Sequence, residues 1–402
     1  MTATNTNKIE TGLPGDEAEQ IAYVKLLART FSDSPTPPGD AGRILRRGLD
    51  SFRVARVGGK FAGGLGIIRM GQWFGGRSVP MVGIDGVAVA PEYRSAGTAS
   101  ALLLRMFEDV RAEGFGLSVL YASTQPVYRR NGYEQAGSVL HYKVPISSIS
   151  LRTLSPDERA MVVLPIEPDD HGALKALYNE RARQTSGNLD RNDHMWGRVF
   201  HSEDALLSGY LVLRDGAPEG YVFYTQRREG NHRDLNTRDL VALTPQAARK
   251  LLSFLAGHRS TVDRLSWTGS AADPWMVHVG DPNIHTDWFE HWLLRIVDMR
   301  TALEARGYPE GVEAELHLDV SDDVLPWNNG RFVLAVSGGR GAVREGGEGR
   351  LKLDVRGLSQ LYTGYLSAQE LQMTGYIEGD GRDLSRADAV FAGPTPWMPD
   401  EF

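Results

Sequence analysis

The sequence predicts an α+β protein of three consecutive units: an α/β domain, a degenerate second copy of it, and an α+β domain. Three observations lead there. Val87–Leu103 (VAVAPEYRSAGTASALL) reads as an apolar strand, a proline and an alanine-rich helix. Leu240–Leu252 (LVALTPQAARKLL) repeats that order without the glycine or the arginine loop. From Trp292 onward, alternating strands are grouped with Gly-rich turns instead of alternating with helices. A chain of 402 residues accommodates two or three domains with buried cores, here placed at 1–147, 148–290 and 291–402.

The elements follow in order. Asp16–Phe31 has Ile21, Val24, Leu26, Leu27 and Phe31 at near-helical spacing. Ser32–Gly39 (SDSPTPPG) is a loop stiffened by prolines. Ser51–Val57 and Phe61–Met70, joined by Gly58-Gly59-Lys60, read as a hairpin. Val79–Ala90 is a β-branched apolar run, Ser100–Glu113 a helix, Leu117–Ala122 a strand and Val127–Asn131 a short helix. Pro145 to about Asp287 is the second copy. Trp292–Val297 is then a strand and Met299–Arg306 a helix, stopped by Gly307-Tyr308-Pro309. Glu315–Val320, Gly330–Val336 and Arg350–Val355 alternate as strands, and Gly357–Tyr362 and Ser367–Leu371 are short helices.

Composition excludes several classes. Acidic and basic residues are interleaved around a net charge of −7, which argues against a nucleic-acid groove and leaves room for a local acidic pocket. With no cysteine there is no disulfide, no Cys-based zinc site and no thiol to carry an acyl group. The ten histidines lack metal-ligand spacing, so no metal is expected, and His291 reads as a strand-end residue. The polar N-terminus lacks a secretory apolar core, and no apolar run nears the roughly 20 residues of a membrane helix. The expectation is a cytoplasmic protein without a membrane partner.

The informative run is Gly83 to Ala99. A strand ends at Ala90, Pro91 breaks it, and a helix opens near Thr98. Arg94-Ser95-Ala96-Gly97-Thr98-Ala99 fits Arg-x-x-Gly-x-Ala. Gly97 lets backbone approach a ligand, and the N–H groups of Ser95 to Ser100 at a helix N-terminus suit a pyrophosphate. With Val87-Ala88-Val89-Ala90-Pro91-Glu92-Tyr93-Arg94 before it and Tyr128-Arg129-Arg130-Asn131-Gly132-Tyr133 after it, the run resembles the GNAT acetyltransferase superfamily.

The resemblance narrows further. Gln72-Trp73-Phe74-Gly75-Gly76, Leu294-Arg295-Ile296-Val297-Asp298, Ala302-Leu303-Glu304-Ala305-Arg306-Gly307-Tyr308 and the terminal Glu401-Phe402 resemble the Eis family, over nearly the whole chain. The resemblance implies a catalytic GNAT domain, a GNAT-like domain without cofactor, and a sterol-carrier-like domain whose tail reaches the active site. It also implies a homohexamer that moves acetyl groups from acetyl-CoA to small-molecule or lysine amines, including aminoglycosides. By the same resemblance, Val87, Ala88 and Val89 would meet the acyl and pantetheine portions. Arg94, Ser95, Ala96, Gly97, Thr98, Ala99 and Ser100 would hold the pyrophosphate, and Ser123 and Thr124 would line the cleft. Ser95 and Ala96 stand where the family often has arginines, which shifts phosphate binding toward backbone N–H groups.

Acetyl transfer needs a neutral amine, a stabilised oxyanion and a proton for the leaving thiolate. Tyr128 aligns with the family's general acid, and Tyr133 is assigned to packing. Full proton transfer from a free phenol to a thiolate would be uphill by about 2 kcal/mol, so a hydrogen bond to the developing charge suffices. The Phe402 α-carboxylate would serve as base, ordering a water or accepting the proton. Asp33, Asp400 and Glu401 would add negative charge around the amine. Two other classes compete: a non-catalytic acyl-CoA-binding protein, which would need neither Tyr128 nor Phe402, and a lipid carrier, for which the alternating strands show no second apolar stripe.

Overall fold

A computed structural model describes residues 8–31, 46–202, 205–280 and 284–402, so Asp33 and the loop expected at Ser32–Gly39 lie outside the described residues. The first unit runs β1 (Ile9–Gly12), α1 (Glu17–Phe31), β2 (Phe52–Val57), β3 (Lys60–Phe74), β4 (Arg77–Val89), α2 (Thr98–Ala112), β5 (Leu117–Tyr121), α3 (Gln125–Arg130) and β6 (Glu134–Pro145). Its hairpins turn at Gly58-Gly59 and Gly75-Gly76, both pairs at positive φ, which lets a two-residue turn follow the strand twist. Helix α2 buries Leu102, Leu103, Met106, Phe107 and Val110, one stripe at helical spacing, against Val82, Ile84 and Leu120 of the sheet.

The second unit contains α4 (Pro156–Ala160), β7 (Val162–Pro165), α5 (His171–Ala182), β8 (Leu189–Asp190), α6 (Asp193–Phe200) and β9 (Leu207–Arg214). It continues with β10 (Ala217–Glu229), β11 (His232–Ala242), α7 (Pro245–Ala256), β12 (Arg264–Gly269) and β13 (His285–Ile296). The repeat seen at Leu240–Leu252 is the end of β11 followed by α7, which matches the end of β4 followed by α2.

The two units share one sheet. Among the described residues its order is β1-β2-β3-β4-β5-β13-β6-β12-β11-β10-β9-β7, with β8 beside β3. β13 lies antiparallel between β5 and β6, and β6 lies antiparallel between β13 and β12. Each unit therefore completes the other's sheet with the strand that follows its own parallel pair. The run expected at Trp292–Val297 is the second half of β13 and belongs to this sheet. His291 is an interior residue of that strand, not its end: its ring packs against Phe289 and Tyr365.

The third unit runs α8 (Met299–Ala305), β14 (Ala314–Ser321), β15 (Gly330–Ser337), β16 (Arg340–Glu345), β17 (Leu351–Asp354), α9 (Val355–Thr363), α10 (Ala368–Met373), β18 (Ile377–Glu378) and α11 (Gly381–Phe391). Its sheet has the order β16-β15-β14-β17-β18. β16 and α11 were not anticipated. β16 carries one buried residue between charged and glycine positions, which leaves almost no alternation to detect. One apolar core joins this unit to the large sheet, from Met70, Met81 and Trp292 to Leu318, Leu358 and Phe391. On the α2-side face of the sheet, Arg295 of β13 lies over the Phe107 ring and forms a fully buried ion pair with Asp322 at 2.8 Å. Burial disfavours the Asp322 carboxylate, but Arg295 and Asn328 outweigh it and hold the carboxyl below its usual range.

The seam between β6 and β13 is tight. Gly137 faces Trp292, and a Cβ there would stand 2.2 Å from the indole. The indole is fully buried and has no room to retreat. Gly137→Ala is therefore expected to destabilise the protein by about 1–3 kcal/mol through overpacking, read as a lower midpoint of urea unfolding. An unchanged midpoint would show that the seam tolerates slack.

Candidate active site

The first unit's sheet opens where the expected cofactor residues lie. β4 and β5 pair in parallel only at Met81–Leu117, Val82–Ser118 and Gly83–Val119, yet β4 continues to Val89. On its other edge, β4 passes from Ala88 opposite Gly64 to Asp85 opposite Gly66, so Gly86 and Val87 together face Leu65. This is a β-bulge, and it bends the end of β4 away from β5. Gly86 is at φ +56°, and the Tyr23 hydroxyl of α1 donates to its carbonyl at 2.9 Å. The result is a wedge-shaped gap whose β4 wall, through Val87, Ala88 and Val89, has backbone groups not used by β5.

The wedge leads to the start of α2. Ser95 and Gly97 both have positive φ, at 62° and 87°. Gly97 is the N-cap and has no side chain to spend on the helix, so the N–H groups of Thr98, Ala99 and Ser100 have neither intrahelical partners nor a capping side chain. Left-handed residues beside a helix start make an anion-binding concavity. Gly97 is set in this conformation by its φ, and a Cβ there would meet no protein atom within 4 Å, so the space beside it is open. Ser95, Ala96 and Ser100 are exposed, and the Ser100 hydroxyl accepts from Asn131 Nδ2 at 3.0 Å, tying α2 to the end of α3. The Thr98 hydroxyl is turned inward onto the Tyr93 carbonyl at 3.1 Å. Arg94 Nε donates to the Val89 carbonyl at 3.2 Å, so this arginine partly secures the strand end. Ser123 and Thr124 are exposed in the turn before α3, on the β5 side of the gap.

Tyr128 and Phe402 approach the wedge from opposite faces of the sheet. Tyr128 lies in the α2-side core with Val82, Ile84 and Leu120. Burial raises its pKa to about 12, and its hydroxyl has no hydrogen-bond partner among the described residues. Tyr133 is fully buried and shares a 2.7 Å hydrogen bond with the Ser118 hydroxyl, a packing position. On the other face, the Phe402 ring lies against Gly83 and 6.1 Å from the Tyr121 ring. A Cβ on Gly83 would come within 2.7 Å of that ring, so this glycine admits the end of the chain where β4 and β5 part.

The tail is threaded to that point by specific bonds. Trp397 N–H donates to the Ser186 carbonyl at 3.0 Å, and Asn188 Nδ2 donates to the Trp397 carbonyl at 2.9 Å. Ser138 N–H of β6 donates to the Pro396 carbonyl, and Tyr121 donates to the Met398 carbonyl at 3.2 Å. Asp400 is not available to an amine. It is buried, with Arg191 Nε 3.0 Å from both of its carboxylate oxygens. Arg191 also donates to Asp239 at 2.7 and 3.2 Å and lies 3.8 Å from the Tyr178 ring centre. Burial opposes the guanidinium charge, but Asp239 and Asp400 keep it firmly protonated.

Two carboxyls remain near the tail. Glu401 keeps solvent access, while its partly desolvated surroundings raise its pKa against the pull of Arg198 and Arg238. Glu290 of β13 is half-buried, and its pKa is raised by burial and then by Glu401. Tyr23, Arg191 and Glu290 carry no motif in the sequence. The one local signal is the break in apolar character at Glu290 within the β13 run.

The comparisons with known proteins agree with this geometry. Two acetyltransferase (GNAT) domain families match residues 14–136 and 187–296, and a sterol carrier protein domain family matches 299–399. A GCN5-related N-acetyltransferase from Anabaena variabilis superimposes with a TM-score of 0.92 at 38% identity, covering 98% of this chain and all of that one. Eis1 from Mycobacterium abscessus gives a TM-score of 0.80 at 26% identity, covering 98% of this chain and 100% of that one. N-acetyltransferase Eis of Mycobacterium tuberculosis is 28% identical over 330 residues, 79% of each chain. The fold and wedge are thus those of an N-acetyltransferase. The chain belongs to the GCN5-related N-acetyltransferases and is similar to the Eis proteins over about four fifths of its length.

The ion-pair cluster at the tail supplies a prediction. Arg191→Met would leave Asp239 and Asp400 buried without a counter-charge. A loss of about 3–5 kcal/mol is expected, measured by denaturant unfolding, because stranding a buried carboxylate is costly. A loss below about 1 kcal/mol would mean that water reaches the cluster.

Proposed function

We propose that the protein transfers the acetyl group of acetyl-CoA directly to a primary amine of an aminoglycoside, lysine or polyamine-like molecule. Tyr128 acts as general acid and the Phe402 carboxylate as base. The observation that carries this is the placement of Tyr128 and Phe402 on opposite faces of the wedge, both beside the point where β4 and β5 separate. The α2 N-terminus receives the pyrophosphate through the N–H groups of Ser95 to Ser100. The freed edge at Val87, Ala88 and Val89 receives the pantetheine amides, with Ser123 and Thr124 along the opposite wall.

The chemistry assigns each group a task. The amine arrives as an ammonium, so it first loses one proton to solvent to free its lone pair. A new N–C bond then forms as the C–S bond breaks, a second proton leaves the nitrogen, and one supports the sulfur. Tyr128, at about 12, stays protonated at neutral pH. Full transfer to a thiolate whose acid has a pKa of about 8.5 would cost about 5 kcal/mol, more than for a free phenol, so Tyr128 works mainly as a hydrogen-bond donor to developing charge. A free α-carboxylate titrates near 3.5 and an alkylammonium near 10.4, so Phe402 takes the proton as N–C bonding makes the nitrogen acidic. Glu401 and Glu290 hold the incoming cation. The division at 1–147, 148–290 and 291–402, whose last boundary falls within β13, the homohexamer and the cytoplasmic location belong to the same proposal, on the strength of the family resemblance.

CoA release measured with acetyl-CoA and a panel of amines tests the proposal. Tyr128→Phe should lower turnover by about 10²–10⁴-fold with acetyl-CoA affinity retained. A short extension after Phe402, which turns its carboxylate into an amide, should lower acetylation of every accepted amine. Unchanged turnover in either variant, with chemistry rate-limiting, would remove that residue from the mechanism.

A further inference from the structure

The second unit repeats the wedge. β11 and β12 pair in parallel only at Asp234–Arg264, Leu235–Leu265 and Asn236–Ser266, while β11 runs on to Ala242 and β12 to Gly269. Helix α7 connects them as α2 connects β4 and β5. Here the gap opens into a cavity of about 660 Å³, closed on one side by the tail at Pro394, Trp397 and Pro399. A volume of that order suits a drug-sized small molecule.

The helix start in this copy no longer suits a pyrophosphate. Pro245 at the first helical position has no N–H, and the Thr244 hydroxyl already accepts from Ala247 N–H at 3.1 Å. Different groups face the space instead. Arg181 of α5 lines the cavity, and its guanidinium has no hydrogen bond or ion pair among the described residues. Asp273 is buried in the same wall, with Oδ1 accepting from Trp275 N–H at 2.9 Å and Trp267 Nε1 at 3.4 Å. Trp275, Trp397, Tyr178 and Leu240 supply apolar surface around it.

We propose that this second wedge is a binding site for a small monocarboxylate with a flat or aliphatic apolar body, its carboxylate held by Arg181. An unpaired guanidinium offers a planar fork that matches a carboxylate with two parallel hydrogen bonds. Arg238 also lines the cavity, but its guanidinium donates to the Arg198 carbonyl at 2.9 and 3.0 Å, so Arg181 with Asp273 nearby suits a single negative charge. A phosphate dianion would meet the Asp273 carboxylate and would find no nest of backbone N–H groups. The site stands apart from the acetyl-transfer wedge, so the inference does not rest on the proposed roles of Tyr128 and Phe402.

Calorimetry on the full chain at neutral pH tests this, with indole-3-acetate and hexanoate as probes and indole-3-acetamide as the uncharged counterpart. The carboxylates should bind and raise the melting temperature, and the amide should bind at least about tenfold more weakly, the effect of losing a charge-assisted pair. Arg181→Met should erase the difference, Arg181→Lys should restore part of it, and acetyl-CoA affinity should stay as in the parent. Neither carboxylate binding at millimolar concentration, or equal binding of indole-3-acetate and indole-3-acetamide by the parent protein, would overturn the proposal without involving any variant. Undiminished carboxylate binding in Arg181→Met would overturn it as well.

Discussion

The structure depends on the exchange of two strands. β6 follows the parallel pair of the first unit but borders β12 of the second, and β13 follows the parallel pair of the second but borders β5 of the first. The two pair with each other along most of their lengths. Neither unit can complete its sheet alone, because the backbone groups of β5 and β12 would be left unpaired in a buried setting. Gly137 beneath the Trp292 indole and the Arg295–Asp322 pair then lock this seam to the third unit.

That interlock positions the candidate site. β5 carries Tyr121, β13 carries Glu290, and β6 takes the tail at Ser138, so three adjacent strands present the groups that surround Phe402. The second unit, whose own helix start has lost the features of a phosphate site, contributes Arg191 and Asp239, which bury Asp400 just before the chain end. A retained copy without the first unit's Arg94–Ala99 loop therefore has a structural task. It fixes a tail that carries the proposed base to a face of the sheet that Tyr128 does not reach.

Much of this was legible in the sequence, for physical reasons. The bend at Pro91, the glycine at the start of α2 and the Tyr128 helix are local features, and local features leave local patterns. The strand–proline–helix repeat likewise pointed to the second unit. Other features depend on long-range pairing. Trp292–Val297 read as the opening strand of a new unit, because apolar alternation does not reveal which neighbour a strand chooses. Asp400 read as an acid near the amine, since nothing near it in the chain announces Arg191. Gly97 was read from the ligand it would admit, and its left-handed φ is a second demand that no sequence pattern announces. Glu290 breaks the apolar character of its strand, but Asp287 in the same strand does so too, so the break alone assigns no role.

Native-state hydrogen exchange, resolved by peptide and followed across low denaturant, tests the interlock most directly. If β6 and β13 bind the units into one cooperative body, amides of β5, β6, β12 and β13 will exchange through a shared opening with the same free energy and the same dependence on denaturant. Opening of β11 and β12 at lower free energy, while β4 and β5 stay protected and acetyl-CoA stays bound, would contradict that account.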